Sequence, residues 1–150
     1  MHLGFRYAAE KFNVNIKKMG PDGWDAKAQA EALEQAVAKN PDGIITVMWD
    51  ASGKPAVKRA MANGVPVIVV EATVPDNGAM AYIGLDNYEC GVDTAKEIIK
   101  RGGKSGKLVA QGNWGASNTD AKFQGLKDYL TANSDWKIVA RSEERRVGKE

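Results

Sequence analysis

Gly43-Ile44-Ile45-Thr46-Val47-Met48 and, further along, Val65-Pro66-Val67-Ile68-Val69-Val70 decide the fold. Each is a short, nearly all-apolar run rich in β-branched residues. Such a run fits a strand covered on both faces, as in a parallel sheet. Helical spacing surrounds them. Before the first run, Ala26, Ala30, Leu33 and Val37 recur every three or four residues and predict a helix over about 26–39, which Asn40-Pro41-Asp42-Gly43 ends. Between the runs, Val57, Ala60 and Met61 mark a helix over about 54–63 that Asn63-Gly64 caps.

The alternation continues outward. Phe5, Ala8, Ala9 and Phe12 share one face of a helix over 3–12, and Val14-Asn15-Ile16 opens a strand ending near Gly20. Tyr82-Ile83-Gly84 is a short strand. Val92, Ala95, Ile98 and Ile99 place a helix over about 88–101, followed by a strand at 107–110, a helix over 118–132 and a strand at 136–139. Strands that alternate with helices predict an α/β fold with an open, doubly wound parallel sheet. Such sheets normally start with a strand, and none precedes the first helix. Residues 141–150 are charged and lack an apolar period, so they are expected to be a disordered or foreign tail.

Composition narrows the function. The 150 residues suit one domain, and a net charge of +2 is too small for a nucleic-acid-binding field. No apolar run is long enough to span a membrane, and the amino terminus lacks the apolar stretch of a signal peptide. Cys90 is the single cysteine and is expected to be a small core residue. His2 is the single histidine, which removes most histidine-dependent triads and metal clusters. Gly102-Gly103-Lys104-Ser105-Gly106-Lys107 superficially suggests a phosphate loop. It precedes a strand, however, and Leu108 stands where a magnesium-binding hydroxyl belongs. No catalytic constellation, metal site or cofactor is expected.

Ligands of open α/β sheets lie beyond the carboxyl ends of the strands. Trp24 and Asp25, Trp49 and Asp50, Glu71, Asp86 and Asn87, and Asn113, Trp114, Ser117 and Asn118 all follow strands and fall at that edge. Trp136 precedes its strand and belongs at the opposite edge or in the core. Indoles cover the C–H faces of sugars, while carboxylates and amides hold their hydroxyls.

Gly20-Pro21, Gln29, Leu33-Glu34-Gln35-Ala36, Asp42-Gly43-Ile44-Ile45, Asn63 to Glu71, Tyr82-Ile83-Gly84-Leu85-Asp86-Asn87 with Gly91, and Asn118 to Leu126 follow one another in a set order and spacing. Together they resemble the type I periplasmic sugar-binding proteins that serve ABC importers, the ribose-binding subgroup above all. The resemblance implies that residues 1–140 are an incomplete amino-terminal lobe of a two-lobed protein that closes on a sugar or polyol. It implies a membrane permease as partner, a periplasmic or cell-surface location, and neither nucleic acid nor chemistry on the ligand. Glu71 stands where the family has a hydroxyl-binding Asp, and Ala72 where ribose binders have Arg. Asn118 matches a polar contact. Lys122 replaces a sugar-binding Arg and cannot form its two-pronged hydrogen bond. Asp86 and Asn87 are expected to cap a helix rather than touch ligand. The expected ligand-binding set is Trp49, Asp50, Glu71, Trp114, Asn118 and Lys122. The effector-binding core of a LacI-type regulator shares this architecture, but it needs an upstream DNA-binding helix pair. A nucleotide-using α/β enzyme is a third class that the missing phosphate loop disfavours.

Overall fold

A computed structural model describes residues 2–143. The element order is α1 (His2–Phe12), α2 (Ala26–Val37), β1 (Ile44–Thr46), a 3₁₀ turn (Ala51–Gly53), α3 (Lys54–Ala62), β2 (Val67–Val70), β3 (Ala81–Ile83), α4 (Asn87–Gly102), β4 (Ser105–Gly112), α5 (Ser117–Asn133) and β5 (Asp135–Glu143). Every strand pairing is parallel, as the alternation predicts. The strands do not form one sheet. β1, β2 and β3 form a first sheet in that order, and β4 and β5 form a second.

In the first sheet Ile44, Thr46, Val67 and Val69 point inward. Ile44, Val67 and Val69 meet Leu33 and Val37 of α2 and Val57 and Ala60 of α3 in the main core, together with Met48 and Val65, and Thr46 is a buried polar residue. The opposite face is bare. Ile45 pairs with Ile68 and Val70 with Ile83, and Ile45 and Ile83 remain 54% and 63% exposed. The apolar runs thus have cover on one face rather than two, because no described helix packs on the other.

The strand expected at 14–19 does not form. Asn13 takes a left-handed φ of 51°, and the Val14 N–H returns to the Ala9 carbonyl at 3.0 Å, which closes α1. Beyond that point the chain finds no neighbouring strand. An unpaired extended segment leaves its N–H and C=O groups to solvent. Val14 and Ile16 are exposed accordingly.

The second sheet belongs with α4 and α5, which cross at two glycines. A Cβ at Gly91 would collide with the Lys122 carbonyl, and one at Gly125 with the Tyr88 carbonyl. Both positions require glycine so that the backbones can touch. The Tyr88 hydroxyl donates to Asp128 at 3.2 Å beside this crossing. Desolvation and that carboxylate raise the tyrosine pKa. Asp86 caps α4 by accepting from the Glu89 N–H at 3.0 Å, the role expected of it.

Trp136 lies at the start of β5, at the end of its sheet away from the β4–α5 loop. Its indole packs against Gly102 and Gly106 and donates to the Gly103 carbonyl at 2.8 Å. The glycines of the superficial phosphate loop make room for this ring. β5 runs through Arg141 and Ser142 to Glu143, paired with Ala110, Gln111 and Gly112. The expected tail therefore starts three residues too early, because Arg141 stacks on two rings and its backbone is in the ladder. The remainder of the tail, 144–150, lies outside the described residues.

Candidate functional site

One cavity of about 390 Å³ opens at the carboxyl ends of the first-sheet strands. Trp24, Trp49, Glu71, Asn113, Asn118 and Thr119 line it, together with Lys18 and Asp22. Most are delivered by a strand end or a helix start, whereas Lys18 and Asp22 come from the irregular segment between α1 and α2. Trp49 follows β1, Glu71 follows β2, Asn113 follows β4, and Asn118 and Thr119 belong to the first turn of α5. The two sheets thus contribute to the same cavity.

The indoles of Trp24 and Trp49 lie 6.5 Å apart, tilted by 59°. Trp24 is 42% exposed and Trp49 half-buried, so their apolar faces remain available from the cavity side. Glu71 has a left-handed φ of 66°, an uncommon conformation for a residue with a long side chain. Its backbone is held on both sides. The N–H donates to the Ile83 carbonyl at 3.2 Å, and its carbonyl accepts from the Tyr82 hydroxyl at 2.9 Å. Its carboxylate has no hydrogen bond or ion pair among the described residues, which leaves both oxygens for a ligand. Asn118 uses its carbonyl oxygen on the Thr119 N–H at 2.9 Å, so its NH₂ is the group it can offer.

Below Trp49, Gln29 of α2 donates its amide to the Thr46 hydroxyl at 2.9 Å and to the Val47 carbonyl. Thr46 is buried. Gln29→Ala takes the amide donor from the Thr46 hydroxyl and leaves the Val47 carbonyl with the longer, 3.3 Å bond from that same hydroxyl. It is expected to lower stability by about 1–2 kcal/mol, measured as a lower urea midpoint at unchanged slope.

Three of the expected ligand-binding residues line the cavity and three do not. Trp49, Glu71 and Asn118 converge. Asp50 is turned to local use, accepting from the Ser52 N–H at 2.8 Å and from the Ser52 hydroxyl to cap the 3₁₀ turn. Trp114 packs edge-on against Phe123 at 5.2 Å, donates from Nε1 to the Ser142 carbonyl, and lies under the Arg141 guanidinium. Lys122 sits on α5 where that helix meets α4, outside the cavity lining. Trp24 and Asn113, expected at this edge though outside the expected binding set, also line the cavity, and Trp24 does so although the strand expected before it does not form. Asp25, also at that edge, caps α2 through the Ala28 N–H at 2.9 Å. Lys18 and Thr119 carry no signal in the sequence. Among the described residues no group of His, Cys, Asp and Glu could hold a metal, and no helix is long and apolar enough to cross a membrane.

The family model for a periplasmic binding protein domain matches residues 1–149. The chain belongs to that family. This periplasmic binding protein domain is 25% identical over 119 residues to the xylitol-binding protein of Mycolicibacterium smegmatis, covering 78% of this chain and 34% of that protein. Among solved structures it is similar to the protein of the XylFII–LytSN complex, with a TM-score of 0.89 and 27% identity over 95% of this chain and 53% of that one. It is also similar to an ABC transporter solute-binding protein from Burkholderia graminis in complex with D-arabinose. There the TM-score is 0.86 and the identity 25%, over 93% of this chain and 49% of the other. The chain therefore spans about half the length of these structures. Neighbours of this kind share the expected α/β class.

Proposed function

We propose that this periplasmic binding protein domain takes part in capturing a small sugar or polyol, without chemical change, for delivery to the permease of an ABC importer. The observation that carries the reading is the convergence of two indoles, a free carboxylate and two amides on one cavity of about 390 Å³. That volume lies in the range of small-molecule sites. Trp24 and Trp49 would cover the C–H faces of the ligand. Glu71 would accept from its hydroxyls, and Asn113 and Asn118 would fix its orientation. Relatives that bind xylitol and D-arabinose support this ligand class. On this reading the chain supplies the amino-terminal lobe and the first elements beyond it, and the protein works in the periplasm or at the cell surface.

Calorimetric titration of the intact protein with pentoses, hexoses and their polyols tests the proposal. Binding to at least one compound is expected, with a Kd that Glu71→Gln weakens about 10-fold, the scale of a lost charge-assisted hydrogen bond. Failure to bind any sugar or polyol would overturn it.

A further inference from the structure

The cavity draws its walls from two sheets that share no strand. Ser117, the first residue of α5, makes two hydrogen bonds between them beside the cavity. Its backbone N–H donates to the Trp49 carbonyl at 2.8 Å, and its hydroxyl donates to the Met48 carbonyl at 3.1 Å. Two consecutive carbonyls of the loop after β1 are thereby held by one residue of the second unit. Ser117 does not line the cavity; its neighbours Ala116, Asn118 and Thr119 do.

We infer that Ser117 is a positioning residue that fixes the Trp49 indole relative to Trp24 and to the Asn118 side of the cavity. The Trp49 carbonyl belongs to the same residue as the indole, so holding it restrains where the ring can sit. Met48 is buried in the main core, so the second bond references the loop to a rigid element. On the α5 side, the first-turn N–H groups of a helix have no partner within the helix. The Ser117 N–H is such a group, and the Trp49 carbonyl satisfies it. The inference rests on the proposed ligand reading for its affinity test but not for its spectroscopic one.

The position permits an informative pair of variants. Ser117→Ala removes only the hydroxyl bond. Ser117→Pro removes both bonds, yet proline is favoured at the first helical position. Ala116 before it already has the extended φ of −82° and ψ of 126° that a following proline demands. Helix α5 should therefore survive either change, and Ser117→Thr should retain both bonds.

The test measures the circular-dichroism couplet of the Trp24–Trp49 pair, identified by its loss in Trp24→Phe, alongside sugar affinity in the intact protein. The couplet is expected to shrink in Ser117→Ala, vanish in Ser117→Pro and persist in Ser117→Thr, while helix content stays at the wild-type level. Affinity for the best-bound sugar is expected to fall about 5-fold in Ser117→Ala and about 30-fold in Ser117→Pro, the scale of one and two net hydrogen bonds. A couplet unchanged in Ser117→Pro overturns the inference, as does wild-type affinity in that variant. A wild-type protein that binds no sugar defeats the ligand proposal instead, and the couplet still decides the role of Ser117.

Discussion

Gly125→Ala is expected to destabilise the α4–α5 unit by about 3 kcal/mol, and Gly91→Ala by a similar amount. The reason is the identity of the atoms met. Most overpacked sites relieve themselves by moving a side chain. At these two, the added methyl meets the carbonyls of Tyr88 and Lys122, which are backbone. The helices must separate to accept it, and separation loosens the packing of both helices along their contact. The residues also share one crossing, so the double variant should cost less than the sum of the singles, since the first methyl already opens the gap for the second. Chemical denaturation of the two singles and the double checks this. Single-variant losses below about 0.5 kcal/mol would mean that the helices do not touch as closely as described.

On the proposed reading, Trp49→Ala is expected to weaken sugar binding about 100-fold, the scale of removing a central aromatic anchor at roughly 2–3 kcal/mol. Trp24→Ala should cost less. Trp24 is more exposed and follows a segment that has no sheet to hold it, whereas Trp49 is half-buried and tethered through its own carbonyl to Ser117. Calorimetry on both variants gives the order directly. Equal losses would show that the two rings act as a single stacked surface.

The helices and most strands were legible because their apolar spacing is strong. Val57 and Ala60, or Ala95 with Ile98 and Ile99, admit little else. The strand-end rule also brings Trp49, Glu71 and Asn118 to one edge. Its failures have a common cause. The rule locates a residue along the chain but does not say which way its side chain turns. Asp50 and Asp25 stand where ligand carboxylates would, yet each finds a backbone N–H two or three residues ahead and caps a helix instead. Trp114 follows its strand but finds Phe123 and Arg141, partners on other elements that spacing cannot reveal. The strand expected at 14–19 failed for a different reason. Its residue types were suitable, but pairing depends on a neighbour, and that is a property of the assembled sheet. Nor did periodicity show that β3 and β4 belong to separate sheets, since each reads as an ordinary short strand.

That separation bears on how the protein is made. All three strands of the first sheet lie between residues 44 and 83, and both strands of the second lie between 105 and 143. Synthesis delivers the earlier group complete before any of the later one has emerged. Its ladder can lock during translation, leaving α4, β4, α5 and β5 to assemble afterwards as a second cooperative block. Native-state amide exchange should then sort the ladder protons of β2 and of β4 into distinct classes with different opening free energies.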